Sequence, residues 1–165
     1  KYKKNIRQCL KNRRGIKLET PNNNLSAVYV KKAKSALNIL SSAIEKNEVD
    51  WIATTSYYAR YFAFYALLQK CGIKSEIHDC TCELMNFLFV QNDIIEQKFY
   101  DEITASKELR INVQYYVSEE ADNANIIKDS AKASNFVLKM EEIRENITQT
   151  KIDELRKILI KAQNS

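Results

Sequence analysis

One histidine and three cysteines lie within twelve residues of one another, at Cys71, His78, Cys80 and Cys82. All four are zinc ligands by type, but structural zinc sites normally use cysteine pairs separated by about two to four residues on tight turns. The Cys80 and Cys82 thiols have one residue between them where a helix is predicted to begin, so they do not share a helix face. We expect no metal and interpret these cysteines as small buried apolar side chains.

His78 is the only histidine, and it is the one side chain that titrates near neutral pH without perturbation. Its position beside an acid at a predicted helix start also suits a capping or hydrogen-bonding role. The sequence contains no recognisable Ser-His-Asp or Cys-His arrangement and no glycine-rich phosphate loop. Nucleotide hydrolysis through a P-loop is therefore excluded.

The excess positive charge of the chain lies in an N-terminal arm, residues 1–24. The arm carries eight basic side chains against the single acid Glu19, a net charge of +7, whereas the remaining residues sum to −2. A dense basic segment suits phosphate contacts, because released counterions supply affinity that does not depend on sequence. The candidate nucleic-acid contacts in the arm are Lys3, Lys4, Arg7, Lys11, Arg13 and Arg14. The alternatives are a solvated tail or a short helix that docks on the bundle.

An aromatic run from Ser56 to Tyr65 offers rings that stack on bases, but its spacing also fits core packing. We favour the core interpretation, because the surrounding helix is rich in alanine. Within the run, Tyr57, Arg60 and Tyr61 are predicted to reach the surface, and Arg60 joins the candidate nucleic-acid contacts.

The number of turn-forming residues predicts the fold class. The 165 residues contain only two Gly and one Pro, whereas a sandwich or barrel needs such residues at many tight turns. We predict an all-α, antiparallel up-and-down bundle of about five core helices. No apolar run approaches the ~20 residues of a membrane span, and no signal peptide is recognisable, so we expect a cytoplasmic protein with reduced thiols.

Apolar periodicity places the helices at about 24–46, 50–71, 79 onward, 93–117, 122–147 and 150 onward. Asn24 is predicted to cap the first of these helices, and Thr150 opens the last with a capping box. Gly72 is predicted to end the second helix in the left-handed conformation. The second helix is apolar on nearly every side, as expected of a helix at the centre of the bundle or at a subunit interface.

Several of these residues resemble the HEPN domains of prokaryotes. The similarity lies in a helix with a Leu-x-x-Ala pattern, then Ser56-Tyr-Tyr-Ala59, Ala66-Leu-Leu with Gly72 behind it, and His78 downstream. Leu109-Arg110 followed by Gln114-Tyr-Tyr116 is similar to a segment of the family's fourth helix. The resemblance covers residues 25–147 and leaves the arm and a C-terminal helical extension, residues 148–165, outside it.

The resemblance implies a twofold homodimer, and in many relatives a nucleotidyltransferase partner. It also implies that many relatives are metal-independent ribonucleases of toxin–antitoxin or defence systems. In those enzymes an Arg stabilises charge on the phosphate, and a His four to six residues later moves the proton.

This sequence departs from the ribonuclease motif after Arg110, because Tyr115 stands where the histidine belongs. A phenol with a pKa near ~10 is a poor base at neutral pH. His78 replaces the missing base only if the fold brings it against Arg110. Otherwise Arg110 is a structural residue, bonded to a helix end or to a carboxylate.

Our first hypothesis is a non-catalytic HEPN-type module without a cofactor. It dimerises through the aromatic helix and binds nucleic acid, a nucleotide or a nucleotidyltransferase partner. The alternative is a ribonuclease toxin that uses Arg110 with His78 or Tyr115. A third is a structural helical adaptor.

Overall fold

The computed structural model describes residues 2–115 and 120–164, with side-chain environments from residue 5 to 115 and from 123 to 164. The elements in chain order are α1 (Tyr2–Lys11), β1 (Ile16–Leu18), α2 (Asn23–Glu45), α3 (Val49–Lys70), β2 (Ile73–Ser75), α4 (His78–Leu84), a π-helical turn (Met85–Val90), α5 (Gln97–Tyr115), α6 (Glu120–Ser130), α7 (Ala133–Asn146) and α8 (Gln149–Gln163). The all-α prediction is confirmed, with one short antiparallel strand pair added. In that pair Ile16 lies opposite Ser75 and Leu18 opposite Ile73.

Helix α3 lies at the centre of the bundle, packed between α2, α5, α6 and α7. Ala59 and Ala63 are buried within the single chain. The bundle itself therefore covers Ala59 and Ala63, while a dimer interface through other residues of this helix stays a prediction. The predicted surface positions of Tyr57 and Tyr61 are wrong, since these residues are 0 % and 8 % exposed. Trp51, in the first turn of α3, is in contrast 61 % exposed.

Helix α1 packs on the bundle rather than extending from it. Ile6, Cys9 and Leu10 are buried in the main apolar core, which fits the alternative of a short docked helix. Cys9 forms a disulfide with Cys80 on α4. The prediction of reduced thiols is wrong for this pair, because α1 packs against α4 although 71 residues separate the two cysteines. The domain boundaries at residues 24 and 147 stay a prediction.

Several helix ends differ from the predicted ones. Asn22 rather than Asn24 caps α2, because its side-chain oxygen accepts a hydrogen bond from the Leu25 amide at 2.9 Å. Thr148 rather than Thr150 caps α8 in the same manner. The left-handed conformation predicted for Gly72 is confirmed by its φ of +67°.

The predicted helix over 122–147 is divided into α6 and α7 by a turn at residues 131 and 132. The carbonyl of Asp129 accepts hydrogen bonds from the Lys132 amide at 3.0 Å and from Arg60 Nη2 at 2.8 Å. A buried arginine therefore binds the backbone at the point where the helix is interrupted. The predicted helix over 93–117 begins only at Gln97, after a turn in which Asp93 has a φ of +57°.

Among the described residues, no helix has the combination of length and apolar character that crossing a bilayer requires.

Candidate functional site

The fold brings His78 and Arg110 to one cluster of tyrosines. Helix α3 presents Tyr57, Tyr58 and Tyr61, α4 begins at His78, and α5 carries Arg110. His78 Nδ1 lies 2.6 Å from the phenolic oxygen of Tyr57, and its ring stacks on Tyr61 with centroids 4.3 Å apart. The Arg110 guanidinium carbon lies 5.3 Å from the ring centroid of Tyr57 and 5.0 Å from that of Tyr58. The fold therefore brings His78 and Arg110 together, which is the condition for His78 to replace the missing base.

His78 is neutral at physiological pH. Burial lowers the pKa of its imidazole, and the positive charge of Arg110 lowers it further. Lys107 acts in the same direction, and Asp79 opposes them. Asp79 and Lys107 form an ion pair beside the ring, with 2.5 Å between Oδ1 and Nζ. A neutral imidazole in this cluster can accept a proton.

The tautomer of His78 decides what its two ring nitrogens do. Burial raises the pKa of Tyr57, so the phenol keeps its proton at neutral pH. In one tautomer that phenol donates to Nδ1, and Nε2 carries the ring proton. In the other tautomer Nδ1–H donates to the phenolic oxygen and leaves the Nε2 lone pair free. Only the second tautomer can take a proton from a bound molecule at Nε2.

Arg110 has no ion pair or hydrogen bond among the described residues. Its Nε is buried without a hydrogen-bond partner in the described part of the chain, while the residue as a whole is half-buried. The described side chains offer Arg110 neither a helix end nor a carboxylate, and its interpretation as a structural residue stays a prediction. The faces of Tyr57 and Tyr58 hold the guanidinium by cation–π contact, and no described carboxylate neutralises its charge.

Arg60, in contrast, is a core residue. It is 0 % exposed, and its Nε donates to Glu102 at 3.0 Å while its Nη1 donates to Asp129 at 3.1 Å. The prediction that Arg60 contacts nucleic acid is wrong, because burial and two carboxylates leave it no free donor toward solvent. The sequence alone does not distinguish an arginine that is buried in ion pairs from one without an ion pair.

Tyr115 ends α5 with 75 % of its side chain exposed. No hydrogen bond or ring contact joins it to His78 or Arg110 in the described residues. The role of Tyr115 in place of the family histidine therefore stays a prediction, which the described contacts do not support.

The described basic residues of the arm are exposed, except Lys17 on β1, which is partly buried. Arg7, Lys11 and Arg13 lie on the surface, and Arg14 pairs with Glu76 at 3.1 Å. The side chains of Lys3 and Lys4 lie outside the described residues. Phosphate binding by the arm stays a prediction. The exposed side chains of Arg7, Lys11 and Arg13 are available for it.

One of the four candidate zinc ligands is not available to a metal, because Cys80 forms a disulfide with Cys9. Cys71 and Cys82 are unpaired and buried, and burial raises the pKa of each thiol to about 12. No group of three or more His, Cys, Asp or Glu side chains in the described part of the chain is arranged to hold a metal ion.

A polar groove of about 500 Å³, which the sequence analysis missed, adjoins the cluster between α1, α4 and α5. Asn5 and Gln8 of α1 and Asn12, which follows its last residue, line one side, and Asp79 and Lys107 line the other. The signal for this groove in the sequence is the spacing of the three amides by three and four residues, which places them on one face of a helix. Only the packing of α1 on α4 shows that this face meets a cavity.

Comparison with known proteins places the chain in a family. No curated protein matches it. The family model of the HEPN domain matches residues 26–162, which begins after α1 and β1 and includes α8. The match therefore contains the C-terminal helix that the resemblance in the sequence leaves out. Because this match spans most of the 165 residues, the chain belongs to the HEPN domain family.

Proposed function

We propose that this protein is a HEPN module that binds a nucleic-acid phosphate at Arg110, beside His78. The observation that carries the proposal is the unpaired guanidinium of Arg110, held between two tyrosine faces with no carboxylate partner among the described residues. A half-buried arginine without a counterion attracts an anion, and its planar donors match two phosphate oxygens.

The exposed cations of the arm add attraction that does not depend on base sequence. Arg7, Lys11 and Arg13 lie on the surface of the segment that also carries the groove amides. Such cations release counterions when they approach a phosphate backbone, so binding weakens as salt increases. A homodimer and a nucleotidyltransferase partner remain expectations from the family resemblance.

The proposal is tested by measuring the affinity of the purified protein for a fluorescently labelled single-stranded RNA. Arg110→Ala should weaken binding by about tenfold or more, because hydrogen bonds between charged groups contribute about 1.5–3 kcal/mol. Lys98→Ala is the matched control. It removes one exposed cation from the opposite end of α5, where Lys98 pairs with Glu96. Equal affinities of the two variants would contradict a phosphate site at Arg110.

The contribution of the arm needs substitutions rather than a deletion. Removing residues 1–20 would also remove the Cys9–Cys80 disulfide and the β1 strand. We expect the triple variant Arg7→Gln/Lys11→Gln/Arg13→Gln to reduce the dependence of affinity on salt. An unchanged salt slope would exclude these three residues from the interface.

A second candidate function is metal-independent cleavage of RNA. The observation that favours it is the neutral His78 in the same cluster as Arg110. In the tautomer with a free Nε2, His78 takes the proton of a ribose 2′-hydroxyl, whose oxygen bonds to phosphorus as the bond to the 5′ oxygen breaks. The imidazolium then returns its proton to the leaving 5′ oxygen. Arg110 stabilises the charge on the phosphoryl oxygens, and the products are a 2′,3′-cyclic phosphate and a 5′-hydroxyl.

Cleavage of single-stranded RNA in the presence of a chelator distinguishes the two functions. An enzyme of this kind loses activity in both His78→Gln and Arg110→Ala, and it leaves a substrate with 2′-deoxy sugars intact. Lys98→Ala should keep full activity. Cleavage that needs added metal, or that survives in His78→Gln, would reject the second candidate and leave the binding function to be judged by its own test.

A further inference from the structure

The polar groove beside the cluster has one wall that the family match does not include. Asn5 and Gln8 of α1 form this wall together with Asn12 directly after the helix, and the match begins at residue 26. The Cys9–Cys80 disulfide also lines the groove and ties α1 to α4. The wall therefore has a covalent attachment to the helix that begins at His78.

The charged side chains that line the groove favour an uncharged ligand group over a phosphate. Asp79 and Glu83 line it with Lys107 as the basic side chain, and Lys107 is already paired with Asp79. A phosphate would meet an excess of carboxylate and is disfavoured there. Side-chain amides both donate and accept hydrogen bonds, and carboxylates accept them, so the lining suits a flat ring with amino and carbonyl groups at its edge.

The groove and the Arg110 cluster share a border. Asp79 and Lys107 line the groove, and the charges of the same two residues act on the pKa of His78. Cys82 lines the groove as well, and its thiol is close enough to form a hydrogen bond with Tyr57 of the cluster. When a nucleic-acid strand places a phosphate at Arg110, the nucleoside next to that phosphate therefore lies beside the groove.

The volume of the groove suits one nucleoside. At about 500 Å³ it lies within the range of small-ligand sites, which is about 300–1,000 Å³. Asp79 adds a largely exposed carboxylate, which only accepts hydrogen bonds. An acceptor of this kind discriminates in favour of a base that carries an amino group.

We propose that this groove takes the base of a nucleotide whose phosphate is bound at Arg110, and that it prefers a base with an exocyclic amino group to uracil. The inference rests on the proposed phosphate site and adds a base preference, for which the groove wall on α1 holds the base against the α4 carboxylate. Cytosine and uracil make the sharpest comparison. They have the same ring size, and at C4 cytosine carries an amino donor where uracil carries a carbonyl acceptor.

The experiment compares the affinities of the full chain, with its disulfide intact, for RNA hexamers of cytidine and of uridine. We expect the wild-type protein to bind the cytidine hexamer about fivefold to tenfold more tightly, since base-edge hydrogen bonds discriminate by about 1–3 kcal/mol. In Gln8→Ala/Asn12→Ala the preference should disappear, while affinity for the uridine hexamer stays. Asn23→Ala/Asn24→Ala removes two exposed amides outside the groove lining and should keep the preference.

Circular dichroism and a thiol titration establish that each variant is folded and keeps the disulfide. Equal wild-type affinities for the two hexamers would overturn the base groove, and so would a preference that survives in Gln8→Ala/Asn12→Ala. In either case a loss of both affinities in Arg110→Ala would leave the phosphate site standing. If Arg110→Ala changes neither affinity, or if the wild-type protein binds neither hexamer, the phosphate site fails and the base groove fails with it.

Discussion

The imidazole of His78 and the phenol of Tyr57 share a hydrogen bond of 2.6 Å between Nδ1 and the phenolic oxygen. Tyr57 is fully buried on the central helix, so it fixes the orientation of a ring that begins another helix 21 residues later. Tyr61 stacks on the same imidazole, and the two tyrosines together hold one face and one edge of it. The second ring nitrogen, Nε2, remains the one available to a bound molecule.

The titration of His78 should have its midpoint below 6.5, because burial and the charge of Arg110 both lower its pKa. Proton NMR measures this midpoint without assignment, since the chain contains one histidine. In Arg110→Gln the midpoint should rise, because a positive charge has been removed. The matched variant Asp79→Asn should shift the midpoint the other way, because Asp79 favours the imidazolium.

The lowered pKa of His78 also makes the free energy of unfolding depend on pH. The unfolded chain binds the proton of His78 more tightly than the folded one, so the contribution to the free energy of unfolding is complete above pH 6.5 and is lost as the pH falls toward the folded pKa. A midpoint at or above 6.5, unaffected by Arg110→Gln, would show that the two residues do not interact.

Replacing Arg60 by methionine should destabilise the protein by about 3–5 kcal/mol, because Glu102 and Asp129 would lose the cation that both of them contact. The free energy of unfolding in urea measures this loss. Arg60→Met/Glu102→Gln/Asp129→Asn should recover part of it by removing the uncompensated charges. Lys139→Met breaks a surface pair with Glu142 and should cost less than about 1 kcal/mol. Equal costs for Arg60→Met and Lys139→Met would contradict the buried network.

Reducing the Cys9–Cys80 disulfide should lower the free energy of unfolding by about 2–4 kcal/mol, because the bond closes a long loop in the unfolded chain. The measurement compares urea denaturation with and without a reductant. Cys9→Ser/Cys80→Ser should be as stable as the reduced wild-type protein and insensitive to the reductant. Four titratable thiols in the protein unfolded without a reductant would show that the bond does not form.

Gly72→Ala should cost about 2 kcal/mol or more, because the residue has a left-handed φ of +67° and little room. A Cβ at this position would stand 2.5 Å from the carbonyl oxygen of Glu19 and 2.4 Å from Arg156 Nη1. Arg156 donates to the Gly72 carbonyl at 2.7 Å, so the clash disturbs a contact between α8 and the end of α3. Asn47→Ala is the control, since Asn47 has a φ of +55° on the exposed surface and should show about 1 kcal/mol of backbone strain. Thermal or urea denaturation that gives equal losses for both would remove the close approach as a cause.

The sequence by itself determined the features that depend on neighbours a few residues away. The scarcity of Gly and Pro predicted an all-α fold, and Gly72 predicted the end of the central helix. The motif from Ser56 to Gly72 was enough to identify the HEPN family, which the family match confirms. Helix ends were less exact, because several polar residues at the start of α2 compete to cap it and local spacing does not choose between them.

The tertiary structure alone decided what each chemically active side chain does. Arg60 and Arg110 both lie on helices, yet Arg60 meets carboxylates 42 and 69 residues away, whereas Arg110 meets two tyrosine faces and no described carboxylate. The Cys9–Cys80 bond and the approach of His78 to Arg110 likewise join distant parts of the chain. Burial, counterions and pKa shifts come from such contacts, and the chain acquires them only when its helices pack.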